Sequence, residues 1–70
     1  MRDTWDASDL GCGHLVFQLH RRIARLSPGD TLELRAEDPG APADVAAWCR
    51  TTGNTLVEAE PPRFVIRREA

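Results

Sequence analysis

Thr31 to Glu37 reads Thr-Leu-Glu-Leu-Arg-Ala-Glu, and this strict alternation is the tightest constraint in the chain. Successive side chains of a strand point to opposite faces, so Leu32, Leu34 and Ala36 share one face while Glu33, Arg35 and Glu37 share the other. A strand that is apolar on one side and charged on the other belongs to a sheet covered on one face and wet on the other. The rest of the chain must therefore supply a cover for one side only.

Two stretches have the helical period that such a cover needs. From about His14 to Leu26, the residues Leu15, Val16, Leu19, Ile23 and Leu26 fall in one arc of roughly 100° at 3.6 residues per turn. Gln18, Arg21, Arg22 and Arg25 occupy the opposite face. Ser27-Pro28-Gly29-Asp30 stops this helix, because proline cannot continue it and glycine tolerates a left-handed exit. A second helix is expected over about Ala43 to Thr52, after the turn-forming loop Asp38 to Pro42. Its apolar stripe is Val45, Trp48 and Cys49, Asp44 suits the positive end of its dipole, and Gly53-Asn54 ends it.

Three more strands complete the set. Thr4 to Ala7 alternates with Trp5 and Ala7 inward, and Ser8 to Gly11 follows as a turn. Thr55 to Glu60 and Arg63 to Arg68 flank a short turn at Pro61-Pro62, with Phe64 and Ile66 inward and Arg63 and Arg67 in water. The order β-α-β-α-β-β predicts an α/β (α+β) two-layer sandwich, a four-stranded mixed sheet with both helices on one face. The strands flanking the first helix are expected to be parallel and the last two to form a hairpin. On the outer face Glu33, Arg35, Glu58, Arg63 and Arg67 read as cross-strand charge pairs.

Length and charge narrow the function classes. Seventy residues make a single domain, 1–70, with a thin core. All nine basic residues are arginine and the net charge is −2, so no direct nucleic-acid partner is expected, since polyanion binding needs a basic field. No run nears the roughly 20 apolar residues that span a bilayer, and no leader pattern opens the chain, so a cytoplasmic, membrane-free monomer is expected. Cys12 and Cys49 are read as free thiols, as in a reducing compartment. No Ser/His/Asp set or paired-carboxylate cleft is visible, and Gly11-Cys12-Gly13 is too short and lacks the lysine of a phosphate loop. A Cys12/His14/His20/Cys49 cluster matches none of the common zinc spacings, so no metal is expected. Cys49, mid-helix beside Trp48, is assigned to the core.

Cys12, where a turn hands over to a helix, is then the one candidate reactive group. Asp6-Ala7, Leu10, Cys12 at a helix start, Pro28-Gly29-Asp30, Asp38-Pro39, Asp44, Trp48-Cys49-Arg50 and Thr52-Gly53 together resemble the TusA-like (SirA-like) sulfur-carrier proteins, from about Trp5 to Arg68. The resemblance implies a two-layer α/β sandwich in which Cys12 carries a persulfide. It also implies a sulfur-donor protein, a cysteine desulfurase or rhodanese, and an acceptor protein in tRNA thiolation, cofactor synthesis or sulfur metabolism. No dissociable cofactor is implied. The family's Cys-Pro-x-Pro motif is here Cys12-Gly13-His14-Leu15, and Ser8-Asp9 replaces the Arg-Gly pair that often precedes it.

A thiol attacks sulfur as thiolate, and a free cysteine of pKa about 8.5 is mostly protonated at neutral pH. A helix N-terminus favours the anion through its unpaired N–H groups and dipole. Replacing the two prolines, Gly13 and Leu15 are expected to restore two N–H donors. His14 is a candidate proton shuttle or an idle first-turn histidine. Ser8, Asp9, Phe17 and Arg21 are the expected partner-docking surface around Cys12. Two other readings stay open: a non-catalytic interaction or regulatory module of the same fold that has lost sulfur transfer, and a thiol redox sensor.

Overall fold

A computed structural model describes residues 2–7 and 10–69 and, within them, every side chain except that of Cys12. The elements run β1 (Arg2–Asp6), α1 (Cys12–Ala24), β2 (Thr31–Arg35), α2 (Ala41–Thr52), β3 (Thr55–Glu60) and β4 (Arg63–Arg67). The strands form one mixed sheet in the order β1-β2-β4-β3. β1 pairs parallel with β2, and β4 is antiparallel to both β2 and β3. The expected β-α-β-α-β-β sandwich is the fold observed.

Register explains the single core. Trp5 pairs with Leu34, Leu34 with Phe64, and Leu32 and Leu56 both pair with Ile66, so these side chains share one face. Leu15, Leu19, Ile23 and Leu26 from the α1 side, and Ala41, Val45, Trp48 and Cys49 from α2, join that face in one buried cluster. Both helices thus cover the same side of the sheet. The other side is charged, and Arg63 bridges Glu33 and Glu58 there while Arg2 also reaches Glu33. Val65, on the central strand β4, is buried on that outer side.

Several boundaries differ from expectation, each for a local reason. β1 begins at Arg2 and ends at Asp6; Ala7 follows outside the strand but still donates its N–H to Arg35 O at 2.8 Å. β2 stops at Arg35 because the Ala36 N–H turns to Pro62 O, 2.9 Å away. α2 starts at Ala41 and takes in Pro42, as the first helical turn has no N–H bond for proline to break. Asp38 Oδ1 accepts from the Gly40 N–H at 2.8 Å and fixes the approach to that helix. At its other end Gly53 adopts the left-handed conformation, φ 77°, that closes a helix and favours glycine.

β3 carries an irregularity invisible in its alternation. Between Leu56 and Glu58 the register slips, so that Glu58 faces Val65 and Ala59 faces Phe64. Unbroken alternation would have placed Leu56, Glu58 and Glu60 on one face. The bulge at Val57 lets Leu56 point inward and both glutamates point outward. β4 ends at Arg67, and Arg68 leaves the sheet to donate from Nη1 to the carbonyls of Ala24 (3.1 Å), Ile23 (3.4 Å) and Leu26. Arg68 thereby adds a donor to carbonyls at and just beyond the C-terminal end of α1, where helical partners run out.

Arg22 is the other departure. Read as part of a solvated helix face, it is half-buried, with its guanidinium 4.6 Å from the centre of the Trp5 ring. The long aliphatic stem lies along the protein while the charged plane stacks on the indole.

Candidate functional site

Parallel pairing of β1 and β2 sends both following helices back from the same end of the sheet. The N-termini of α1 and α2 and the Pro61–Pro62 turn therefore gather at one end. A recess lined by Ala36, Glu37, Pro39, Pro42, Pro61 and Pro62 opens there. Cys12 is the first residue of α1, two residues earlier than the apolar stripe predicts. Gly11 is the N-cap, extended at φ −73° and ψ 163°, and makes no side-chain capping hydrogen bond. Leu10, packed against the core, holds the approach with an N–H bond to Ala7 O at 3.0 Å.

This start decides which backbone donors are available. With Gly11 as N-cap, Cys12, Gly13 and His14 occupy the first three helical positions, whose N–H groups have no partner within the helix. Leu15 is the fourth, and its N–H already bonds Gly11 O at 2.8 Å. The Gly13 N–H has no partner within the helix, whereas the expected donor at Leu15 is spent on it. Leu15 acts instead through its side chain, which is wholly buried and anchors the first turn on the sheet. No acidic residue lies in that turn to compete for the positive end of the dipole.

The remaining site residues separate by position. His14 is exposed, with Nε2 3.4 Å from Nε2 of Gln18 one turn along the helix. Phe17 is 60% exposed, and Arg21, one turn further, is also exposed. Gly13, Phe17 and Arg21 lie in one row at four-residue spacing. Ser8 and Asp9 lie outside the described residues, as does the side chain of Cys12. His20 is drawn away to Trp48, edge-on with ring centres 6.5 Å apart. Among the described residues no three His, Cys, Asp or Glu side chains gather as a metal site. Cys49 is buried in α2, and burial pushes its thiol up to about 11, so it stays protonated at neutral pH. Arg25, the C-cap residue of α1, is exposed.

The sequence of residues 3–68 matches the family model for sulfurtransferase TusA. The chain belongs to the TusA family. Among its relatives are proteins of Neisseria meningitidis serogroups A and B, NMA0882 and NMB0681, both named as candidate sulfur carriers. Each is 37% identical over 57 residues, which cover 81% of this chain and 77% of the relative. YrkF of Bacillus subtilis, named in the same way, is 32% identical over 62 residues; these cover 89% of this chain but 34% of that longer protein. TusA membership supports a sulfur-carrier role and, with it, work between a donor and an acceptor protein. Among the described residues no helix is long and apolar enough to cross a membrane.

Proposed function

We propose that this TusA-family chain carries sulfane sulfur as a persulfide on Cys12, taking it from a donor protein and passing it to an acceptor. The observation that carries the proposal is the place of Cys12 in a family match over residues 3–68: it opens α1, where the first N–H groups have no partner within the helix and the first turn holds no acidic residue. Those groups favour an anion. Cys49, protonated and buried, is not a competing nucleophile.

The chemistry is a thiol exchange. The Cys12 thiolate attacks the terminal sulfur of a donor persulfide, a new S–S bond forms, and the donor's own S–S bond breaks with its electron pair leaving on the donor thiolate. An acceptor thiolate then attacks the sulfur held on Cys12, which departs as thiolate. The sulfane sulfur moves without net oxidation or reduction, and no cofactor is required. A cysteine desulfurase or rhodanese fits the donor role, and the chain works in a reducing, cytoplasmic setting, in tRNA thiolation, cofactor synthesis or sulfur metabolism. Around Cys12, Gly13 supplies an N–H, Leu15 fixes the turn, His14 stands within the first turn, and Ser8, Asp9, Phe17 and Arg21 form the docking rim.

Incubation with a cysteine desulfurase and L-cysteine, read by intact mass, tests this. The wild-type chain and Cys49→Ala should each gain one sulfur atom, and Cys12→Ala should gain none. A non-catalytic module of the same fold would show no added sulfur in any of the three. A thiol redox sensor would instead form a sulfenate or mixed disulfide at Cys12 under mild peroxide.

A further inference from the structure

The two edges of the sheet differ. β3 is broken by the bulge at Val57 and carries Glu58 and Glu60, devices that keep an edge from pairing. β1 is unbroken: its residues pair in register with Thr31–Arg35, and beyond it no further strand joins the sheet among the described residues. Ala7, in line with β1, donates its N–H to Arg35 O, so the odd-numbered residues turn their backbone N–H and C=O groups toward β2. Arg2, Thr4 and Asp6 turn theirs outward to the bare edge. There the Thr4 N–H is met by the carboxylate of its own neighbour, Asp3 Oδ1 at 2.9 Å.

That edge is complementary to itself. In an antiparallel pair centred on Thr4, outward-turned residues oppose one another: Thr4 meets Thr4 of the second copy and Arg2 meets Asp6, each pair exchanging two backbone hydrogen bonds. The Arg2 and Asp6 side chains then lie across from each other on the outer face, and unlike charges directly opposite stabilise a ladder. Arg2 engages Glu33 through Nη2, and its guanidinium has further donors for the incoming carboxylate. On the helix face the same register sets Asp3 opposite Trp5 of the second copy, the ring that carries the Arg22 guanidinium. Asp3 thus gives up the Thr4 N–H for the neighbourhood of a cation whose Nε is buried without a hydrogen-bond partner among the described residues.

We propose that β1 adds edge to edge to β1 of a second copy, antiparallel and centred on Thr4, so that two four-stranded sheets become one continuous sheet. The joined strands are only five residues long, so the dimer is weak and reversible, in place of the expected monomer. Antiparallel pairing sends the two α1 N-termini to opposite ends of the joined sheet, and each site keeps its own approach. The dimer stands apart from the sulfur-carrier reading and is tested without sulfur transfer.

Sedimentation velocity from about 10 µM to about 1 mM, with circular dichroism to verify folding, tests it. The wild-type chain should pass from monomer toward dimer across that range. Thr4→Pro removes an outward N–H that takes no part in pairing with β2, a place where an edge strand accepts proline, and should weaken the dimer about tenfold or more. Arg2→Asp and Asp6→Arg each set like charges opposite one another, and each should self-associate about tenfold more weakly than the wild type. Mixed in equal amounts, these two variants restore both unlike pairs and should associate with each other about as tightly as the wild type does with itself. A wild-type chain that stays monomeric at the top of the range overturns the proposal, whether a strand of another protein covers β1 or none does. So does a dimer left unchanged by Thr4→Pro or by either charge variant, and so does a mixture that associates no better than its components. Should Thr4→Pro fail to fold, the mixed charge variants decide the register by themselves.

Discussion

The guanidinium of Arg22 lies 4.6 Å from the ring centre of Trp5, so the last turn of α1 is fastened to edge strand β1 by a cation over an indole. The Nε of Arg22 is buried without a hydrogen-bond partner among the described residues, and the π face compensates electrostatically. Because α1 begins at Cys12, this contact also sets how firmly the site helix is held against the sheet.

Trp5→Ala removes the stack and part of the cover over β1, and leaves a half-buried charge unsupported. Chemical denaturation should show a loss of about 3 kcal/mol or more. Trp5→Phe keeps a weaker π face and should cost less than Trp5→Ala. Trp5→Leu, apolar but without a π face, should cost more than Trp5→Phe; equal losses in those two would show that burial alone, and not the cation, accounts for the contact.

The two positions where the family motif has proline should respond unequally to it. At Gly13 a side chain meets nothing within 4 Å and the N–H makes no helical bond, so Gly13→Pro should change stability by about 1 kcal/mol or less. It should also raise the thiol pKa of Cys12 relative to Gly13→Ala, because one N–H donor is lost. At Leu15 proline would break the 2.8 Å bond to Gly11 O and empty a fully buried site, costing about 3 kcal/mol or more. Urea titrations and the pH dependence of Cys12 alkylation check both statements.

Cys49 predicts an alkaline limit. Its thiol is raised by burial to about 11, so folding favours the protonated form. The stabilisation is fully present below the unfolded pKa and is lost as pH rises through the folded value. Stability should fall between about pH 9 and 11, by an amount on the order of 2 kcal/mol. Cys49→Ala should flatten that part of the profile while lowering stability at neutral pH.

Glu33 predicts the behaviour in acid. Hydrogen bonding from Arg63, and then the nearby charges of Arg63 and Arg2, hold its carboxyl below the ordinary range. A depressed carboxyl contributes stability above its unfolded pKa and loses it as pH falls through the folded value. Thermal unfolding of Glu33→Gln should therefore match that of the wild type more closely at pH 3 than at pH 7. Added salt should narrow the difference at pH 7, since the cluster is solvent-exposed.

The fold was legible where one rule governed a whole element. Leu32, Leu34 and Ala36 alternate without exception, and Leu15, Leu19, Ile23 and Leu26 repeat at the helical period; both patterns fell on the core. Legibility ended where the deciding partner was distant in sequence. Nothing near Arg22 points to Trp5, and nothing near Arg68 points to the carbonyls of Ala24 and Leu26. The bulge at Val57 was hidden because Val57 to Glu60 alternates plainly, which alone would turn Val57 inward and Leu56 outward; pairing with β4 puts Leu56 opposite Ile66 instead. At the site, Cys12 at a helix start was readable from the turn before it. The donor role of Leu15 was misread because Gly11 caps the helix two residues early and makes Leu15 the residue that closes the first turn.

The central claim is that Cys12 itself holds the sulfur. After loading with cysteine desulfurase and L-cysteine, the protein is alkylated, digested and sequenced by tandem mass spectrometry. The account predicts an alkylated persulfide on the peptide containing Cys12, an unmodified sulfur count at Cys49, and loss of the added sulfur when an acceptor thiol is supplied before alkylation. Sulfur found on Cys49, or a Cys12 peptide that never carries an added sulfur, would contradict it.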